Sequence, residues 1–269
     1  MKLQGKNVIV TGGGKNIGRA ISLDLAREGA NVAITARDEK ALKSTESEIK
    51  AMGRKALAIV CNVKVETEVE RMVETAMKGL GDIDILINNV GISGPKCYLW
   101  ELAIEDWNDI IDSNVRSHYL CMKHVLKRCM VPRRRGRIVN TAGTAGQGGY
   151  PLMAAYAVSK WGVIALTKTL AKEVGQYNIF VNAVVPGAID GERIHRSIRQ
   201  RAEILKITPE EEEKAYKELS PMRKFNEAED VARVVTFLAS DDYVDTGQTV
   251  NVSYGSSGLG SYHNCHQGG

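Results

Sequence analysis

Residues 7–26 place a short strand, a glycine-rich turn and a helix in direct succession. Asn7-Val8-Ile9-Val10-Thr11 is an apolar, β-branched run, typical of a strand that is buried on both faces. A turn from Gly12 to Gly18 follows, and apolar residues then recur at helical spacing as far as Ala26. A buried strand that runs directly into a helix is the repeating unit of parallel α/β proteins.

The same unit recurs along the chain. Further strands are predicted over residues 31–36, 56–61, 83–87, 137–142, 179–185 and 249–253, with helical patterns between them. We therefore predict an α/β fold: a single-domain, Rossmann-like, doubly wound sheet of about seven parallel strands with helices on both faces. Residues 1–255 would form the dinucleotide-binding and catalytic domain, with residues 190–225 as a lid over a substrate, and residues 256–269 a flexible tail.

The composition is ordinary for a soluble globular chain, with 43% of the 269 residues hydrophobic and 25% charged. A formal charge of +4 gives no indication of a nucleic-acid partner. Because no signal peptide and no bilayer-length apolar run is present, we expect no membrane partner and a cytoplasmic location. Five scattered cysteines without a Cys-x-x-Cys pair favour reduced thiols. His263, Cys265 and His266 could hold a metal, but a frayed terminus is the favoured interpretation, so no metal site is predicted.

The glycine-rich turn lies where bare backbone N–H groups and a helix N-terminus can receive a pyrophosphate. Its spacing is Thr-Gly-x-x-x-Asn-x-Gly rather than G-x-G-x-x-G, and a glycine turn without any ligand is the alternative. Because a second strand–helix unit follows it, we predict a dinucleotide site whose first contacts are Gly12, Lys15, Asn16, Ile17 and Gly18.

The end of the second strand bears on which dinucleotide is bound. An acidic residue there would hold the adenosine ribose hydroxyls, whereas an arginine suits a 2′-phosphate. Ala36 and Arg37 occupy that end, and Lys15 adds a second positive charge nearby. We therefore predict a preference for NADP(H). NAD(H) stays open, because the adjacent Asp38 could be the ribose ligand instead of a helix N-cap.

Later strands also end in polar or glycine residues, and the carboxyl ends of parallel strands form the ligand crevice of such sheets. A simple turn would explain some of these residues equally well. The further candidate cofactor contacts are Asn62 and Val63 after the third strand, Asn89 and Gly91 after the fourth, and Pro186, Gly187 and Ile189 after the sixth.

Tyr156 and Lys160 are four residues apart in a predicted helix, so their side chains share one face. A phenol with an ordinary pKa of about 10 is too weak an acid for proton transfer at neutral pH. A neighbouring ammonium favours its ionised form. The pair occurs by chance on many helices, and its position downstream of the glycine turn is what favours a catalytic interpretation.

The chain resembles the short-chain dehydrogenase/reductase family from its first strand to about Gly255. The resemblance is carried by Thr11-Gly12…Gly18, Asn88-Asn89-x-Gly91, Asn114, Tyr156-x-x-x-Lys160 and Pro186-Gly187, in order and at family spacing. It implies one bound nicotinamide dinucleotide, hydride exchange with an alcohol or carbonyl carbon, and a homodimer or homotetramer. It also implies that Tyr156 is the general acid/base and a cofactor contact. Lys160 would lower the tyrosine pKa and hold the nicotinamide ribose, and Asn114 would anchor a water in the proton relay.

Asn114 falls inside a predicted helix over residues 107–130, where asparagine is locally unfavourable. A kink that presents a polar group to the site is one interpretation, and an exposed, self-capping side chain is the other.

One departure from the family pattern concerns the substrate oxygen. The family has a serine thirteen residues before the tyrosine, and Gly143 stands there. Loss of one such donor can cost about 10²–10³ in rate. A nearby threonine could supply the hydroxyl; Thr144 is preferred over Thr141. The predicted substrate contacts are Gly143, Tyr156 and Arg193.

The predicted lid begins with a basic segment that contains Arg193 and Arg196. It indicates either a substrate with an anionic group or a solvated helix face. Three functions remain open at this point. They are an NADP(H)-linked oxidoreductase acting on a small carbonyl or secondary alcohol, a catalytically weak nucleotide-binding sensor or scaffold, and an NAD-dependent alcohol dehydrogenase.

Overall fold

The structure, a computed structural model, describes residues 1–256. The predicted tail, apart from Ser256, therefore lies outside the described residues, and so do His263, Cys265 and His266. Among the residues described, no helix is long and apolar enough to cross a membrane.

Seven parallel strands form one sheet in the order β3-β2-β1-β4-β5-β6-β7, which confirms the predicted fold. The strands are β1 Asn7–Thr11, β2 Asn31–Ala36, β3 Ala56–Val60, β4 Ile85–Asn88, β5 Gly136–Thr141, β6 Ile179–Pro186 and β7 Thr249–Val252. The strand order reverses between β1 and β4, so the loops at their carboxyl ends diverge and leave a crevice there.

Helices cover both faces of the sheet. They are α1 Asn16–Arg27, α2 Glu39–Ala51, α3 Glu66–Leu80, α4 Ile104–Ile111, α5 Ser117–Val125, α6 Val131–Arg133, α7 Ala154–Val174, α8 Glu192–Leu205, α9 Pro209–Glu218 and α10 Ala228–Ala239. Helices α1, α2 and α10 bury their apolar residues in one core, and α3, α5 and α7 bury theirs in the core on the opposite face. The strands are therefore apolar on both sides, as the run Val8-Ile9-Val10 predicts.

Helices α4, α5 and α6 follow one continuous helical path, joined by two wider π-helical segments, Asp112–Arg116 and Leu126–Met130. This path is longer than the predicted helix over residues 107–130. Asn114 lies in the first π segment, so the predicted irregularity at this residue is present as a π turn. Such segments interrupt the regular hydrogen-bond ladder and are frequent at functional sites.

The predicted lid consists of α8 and α9. Thr208 caps α9 by accepting a hydrogen bond from the Glu211 N–H, and the Glu211 carboxylate accepts one from the Thr208 N–H at 2.8 Å. A buried ion pair joins the two helices, with Arg201 Nε donating to Glu212 Oε1 at 2.6 Å. Because both groups are fully buried, breaking the pair would leave an uncompensated charge at a cost of about 3–5 kcal/mol.

Candidate active site

The glycine turn and the N-terminus of α1 line the middle of the crevice, because β1 lies between β2 and β4 in the sheet. A Cβ on Gly18 would lie 2.0 Å from the Gly12 carbonyl oxygen, so only glycine allows this close approach of helix to strand. Asn16 adopts a left-handed conformation, with φ of 47°, as its asparagine side chain tolerates. No side chain caps the first turn of α1 and no acidic residue stands in it, so its N–H groups remain available to an anion.

The loop after β4 is fixed to the end of β1. Thr11 Oγ1 accepts hydrogen bonds from the N–H groups of Asn89, at 2.9 Å, and Val90, at 3.3 Å. The Asn89 side-chain amide donates back to the Thr11 carbonyl oxygen at 3.2 Å. Asn89 thus has a structural role in holding the two edges of the crevice together, in addition to its predicted contact with a cofactor.

Tyr156 and Lys160 lie one turn apart on α7, at one end of the crevice. The Lys160 ammonium is 5.7 Å from the centroid of the Tyr156 ring and donates to the Thr141 carbonyl oxygen at 3.0 Å. Lys160 is buried and has no carboxylate partner among the described residues. Burial, with a smaller contribution from the charge of Arg193, lowers the pKa of Lys160 to about 7. The protonated and neutral forms of the Lys160 amine are therefore both populated near neutral pH.

Asn114 does not line the crevice. Most hydrogen-bonding positions of its side-chain amide are taken by other groups of the protein. Its Oδ1 accepts from the Ile92 N–H at 2.7 Å, and its Nδ2 donates to the Ile92 carbonyl oxygen at 2.9 Å and to Ser159 Oγ at 2.8 Å. Ser159 Oγ in turn donates to the Tyr156 carbonyl oxygen at 2.7 Å. Both amide protons are used and one acceptor position on Oδ1 remains. A π turn is present at Asn114, but the side chain holds the loop at Ile92 against α7 instead of lining the crevice.

Gly91 brings these groups together. A Cβ at this position would lie 3.2 Å from Lys160 Nζ and 3.3 Å from Asn114 Oδ1. These are tight contacts for a carbon atom, so a side chain here would press on both functional groups. The glycine therefore permits the compact arrangement of loop, lysine and asparagine.

Gly143 occupies the position from which a side chain would approach the phenol. A Cβ there would lie 3.5 Å from the Tyr156 hydroxyl, but the backbone φ of 157° is unusual for a residue that has one. The two nearby threonines differ in their surroundings. Thr141 Oγ1 is shielded from solvent without a hydrogen-bond partner, whereas Thr144 is half-buried in the crevice and its hydroxyl has no partner among the described residues.

At the far end of the crevice, β2 ends at Ala36, and Arg37 is exposed without an ion pair among the residues that the structure describes. Lys15 and Asp38 form an ion pair with an N–O distance of 2.6 Å. Asp38 also accepts a hydrogen bond from the Ala41 N–H at 3.0 Å, so it is the N-cap of α2. The pair raises the pKa of Lys15 and lowers that of Asp38. Lys15 is therefore less available to a phosphate than its sequence position suggests.

One cavity of about 670 Å³ joins these two ends. Its volume is within the range of about 300–1,000 Å³ for small-molecule and cofactor sites. Its walls contain every candidate site residue predicted from the sequence except Asn114, namely Gly12, Lys15, Asn16, Ile17, Gly18, Arg37, Asn62, Val63, Asn89, Gly91, Gly143, Thr144, Tyr156, Lys160, Pro186, Gly187, Ile189 and Arg193.

These residues fit a nicotinamide dinucleotide. The uncapped N-terminus of α1 can receive the pyrophosphate, and Asn62 lies at the adenosine end. Asn62 Oδ1 accepts from the Lys64 N–H at 3.2 Å, which leaves the amide protons of this side chain for a base. Lys160 and Tyr156 line the same cavity as these residues.

Sequence reasoning missed two residues near Tyr156 and Lys160. Ser159 connects Asn114 to the backbone of Tyr156, and no pattern in the sequence distinguishes it from any other helical serine. Tyr150 lines the cavity, and burial raises the pKa of its phenol well above the ordinary value, so it remains protonated. The Asn114–Ser159 hydrogen bond joins residues that are distant in sequence. The burial of Tyr150 in the cavity likewise depends on how the chain folds.

Comparison with known proteins identifies the family. The family model described as short chain dehydrogenase matches residues 6–202. The chain belongs to the short-chain dehydrogenase/reductase family. This short-chain dehydrogenase is 36% identical over 253 residues to 3-oxoacyl-[acyl-carrier-protein] reductase FabG of Staphylococcus epidermidis, with 93% of this chain and 98% of the relative covered. The predicted family is confirmed, and the protein is an oxidoreductase that acts on an alcohol or carbonyl group.

Two solved structures resemble this short-chain dehydrogenase closely and differ in the cofactor they hold. NAD⁺-bound xylitol dehydrogenase is 33% identical, with a TM-score of 0.90 and coverage of 95% of this chain and all of the other. An actinorhodin polyketide ketoreductase with NADPH is also 33% identical, with a TM-score of 0.89 and coverage of 96% of this chain and all of the other. The family uses NAD(P), and the preference of this chain must come from its own residues.

Proposed function

We propose that the protein is an NADP(H)-dependent oxidoreductase that interconverts a carbonyl and a secondary alcohol, with Tyr156 as the general acid/base. The observation that carries the proposal is the position of the Tyr156 hydroxyl. It lies in the same cavity as Lys160 and beside the position of the absent family serine, and the uncapped N-terminus of α1 lines that cavity as well. A bound dinucleotide would supply or accept the hydride.

Each residue at the reacting end has a distinct part in the proposal. The Tyr156 hydroxyl donates its proton to the carbonyl oxygen during reduction and accepts one during oxidation. The Lys160 ammonium favours the phenolate electrostatically and holds the nicotinamide ribose. Asn114, through Ile92 and Ser159, positions the loop and the helix that carry these groups; its acceptor Oδ1 is the atom through which it would hold a relay water.

Thr144 replaces the serine hydroxyl that Gly143 lacks. Its hydroxyl has no partner among the described residues and faces the same cavity as Tyr156, so it is available to donate to the substrate oxygen. Thr141 is less suitable because its hydroxyl oxygen is fully shielded. This assignment keeps two donors on the developing oxyanion, as electrostatic stabilisation requires.

Arg37 sets the cofactor preference. Its unpaired guanidinium at the end of β2 suits the 2′-phosphate of NADP(H), and Asp38 is already engaged as an N-cap and as the partner of Lys15. Other residues that line the cavity hold the pyrophosphate and nicotinamide parts of the cofactor. Helices α8 and α9 cover the substrate end as a lid. The residues in contact with the cofactor would be Gly12, Lys15, Asn16, Ile17, Gly18, Asn62, Val63, Asn89, Gly91, Tyr156, Lys160, Pro186, Gly187 and Ile189.

The test is a titration with NADP(H) and NAD(H), followed by a broad panel of carbonyl and alcohol compounds read at the nicotinamide absorbance. We expect tighter binding of NADP(H) and turnover of at least one class of compound. Gly143 favours one second candidate, a cofactor-binding sensor with little turnover, because it removes a catalytic donor. Tight dinucleotide binding with no turnover across the panel would support that candidate, and tighter binding of NAD(H) would overturn the role given to Arg37.

A further inference from the structure

Arg193 reaches from the first turn of α8 towards the reacting end of the cavity. Its Nη1 makes a long contact of 3.4 Å with the Gly91 carbonyl oxygen, and its guanidinium carbon lies 5.9 Å from the centroid of the Tyr156 ring. No carboxylate lies within ion-pair distance of it among residues 1–256. A planar cation with several free N–H groups therefore borders the space in which the proposed substrate would react.

A second cation, Lys96, is buried close enough to Arg193 for the two charges to interact. Lys96 belongs to the loop that follows Gly91, is 8% exposed, and donates to the Gly94 carbonyl oxygen at 3.2 Å. It has no carboxylate partner in the described part of the chain. Burial, followed by the charges of Arg193, Arg201 and Arg196, lowers the pKa of Lys96 to about 8. Several positive charges thus act on the same region.

No carboxylate of α8 or α9, or of the loop before them, lies within ion-pair distance of Arg193, Arg196 or Lys96 among the described residues. Asp190 Oδ1 lies 2.9 Å from His195 Nε2, Glu213 pairs with Lys217 at 2.6 Å, and Glu212 pairs with Arg201 at 2.6 Å. Glu192, which is exposed on the first turn of α8, lines the cavity together with Asp190, but neither forms an ion pair with Arg193. Arg193, Arg196 and Lys96 are left without an acidic partner among the described residues. A buried ammonium without a counter-charge is unfavourable, and a bound anion would supply that charge.

We propose that the substrate carries a carboxylate, bound by the Arg193 guanidinium and stabilised by the positive potential of Lys96 and Arg196. The inference rests on the proposed function, since Tyr156 fixes where the reacting carbonyl lies. Because Arg193 borders the Tyr156 ring, the carboxylate is separated from the reacting carbon by only a few bonds. A guanidinium can receive both carboxylate oxygens in parallel hydrogen bonds, which gives orientation as well as affinity.

The first test compares matched ketones that differ only in charge, 4-oxopentanoate and 4-oxopentanamide, at saturating NADPH. One charge-assisted contact predicts a kcat/KM for the carboxylate that is roughly 10- to 100-fold above that of the amide. In Arg193→Ala the ratio should fall to about 1, because the carboxylate loses a charge-assisted contact that the amide does not make. Lys96→Met, which retains the buried volume, should lower the ratio in the same direction.

Arg199→Ala is the matched control, because Arg199 is exposed, lies six residues further along α8 and does not line the cavity. It should leave the ratio unchanged. A wild-type ratio of 1 or less, or the same ratio in wild type and Arg193→Ala, would overturn the proposal.

The second test does not depend on turnover. Calorimetric titration of the protein–NADP⁺ complex with pentanoate and pentanamide, neither of which has a ketone to reduce, should show binding of the carboxylate that Arg193→Ala weakens roughly tenfold or more. If no panel compound is turned over but pentanoate still binds through Arg193, the proposed function fails and the carboxylate subsite stands. If turnover occurs but pentanoate binds no better than pentanamide, the subsite fails and the proposed function stands.

Discussion

At the scale of single residues, the site divides into groups that the sequence predicts and groups that it does not. Tyr156 and Lys160 are predictable because helical spacing alone places them on one face. The contacts of Asn114 are not, since they join a π segment to the backbone of Ile92 and to Ser159 on another helix. Lys96 gives no sequence signal at all, because its burial depends on how the loop after β4 packs.

The two threonines beside Gly143 give a paired prediction. Thr144→Val should lower kcat by about 10²–10³-fold, because a donor to the substrate oxygen is lost. Thr141→Val should leave kcat unchanged and raise the free energy of unfolding slightly, since it removes a buried hydroxyl without a partner. Steady-state kinetics and urea unfolding measure both effects. Equal loss of activity in the two variants would contradict the assignment of Thr144.

His118 gives a prediction for acid stability. The imidazole is buried, its Nε2 has no hydrogen-bond partner within residues 1–256, and burial, followed by the charge of Lys160, lowers its pKa to about 3. Between the unfolded pKa of about 6.5 and this value the unfolded chain binds more protons. The contribution of His118 to the free energy of unfolding therefore decreases as pH falls, by about 1.4 kcal/mol per pH unit in that window.

Substitution His118→Gln should reduce the fall in unfolding free energy between pH 6.5 and pH 5, as measured by urea unfolding at each pH. His124→Gln is the matched control, because the buried His124 imidazole lies 3.1 Å from a Glu66 carboxylate oxygen. An unchanged pH slope in His118→Gln would show that this histidine does not contribute to acid sensitivity.

At the scale of elements, the strands and most helices are predictable because their apolar patterns are long and regular. Predicted bounds for β1 and β2 agree with the structure, whereas β4 begins two residues later than expected, at Ile85. The capping box of α9 also has a local sequence pattern, with Thr208 three residues before Glu211. The π segments are not predictable, since the residues in them have no distinctive pattern and tertiary contacts select the wider turn.

The junction of β2 and α2 carries the prediction on cofactor choice. Arg37→Ala should weaken NADP(H) binding by roughly 10- to 100-fold and leave NAD(H) binding nearly unchanged, because one charge-assisted contact to the 2′-phosphate is lost. Fluorescence titration of both nucleotides measures this. A parallel loss for NAD(H) would mean that Arg37 supports the fold of the turn instead of the phosphate.

Asp38→Asn separates the two roles of Asp38. Asparagine caps helices about as well as aspartate, so α2 should keep its stability. The variant releases Lys15 from its ion pair, and we expect NADP(H) to bind more tightly as a result. Weaker NADP(H) binding in Asp38→Asn would contradict this interpretation of the pair.

At the scale of the whole molecule, the strand order brings residues from nearly every part of the chain to one crevice. Seven strands in one parallel sheet follow from the repeated strand–helix units, and the crevice follows from the reversal of order between β1 and β4. Residues at the carboxyl ends of the predicted strands therefore line the cavity, whereas Asn114 does not. The sequence could not predict the balance of charge there, which depends on which carboxylates the lid brings close to its arginines.

The family resemblance implies a homodimer or homotetramer, and we propose that α7 would contribute to its interface. Val158 and Trp161, three residues apart and therefore on one face, are each about half exposed, and Tyr119 on α5 is similarly exposed. Trp161→Glu should shift the protein to a smaller species, as measured by light scattering after size exclusion, because it places a charge in an apolar contact. An unchanged mass would exclude this face as the interface.

The most direct measurement compares wild type with Tyr156→Phe, which removes one hydroxyl and keeps the ring. NADPH affinity, measured by fluorescence, should change little, whereas the rate of hydride transfer to the best ketone of the panel should fall by about 10²–10⁴. A variant that binds NADPH normally and still reduces the ketone at close to the wild-type rate would contradict the account.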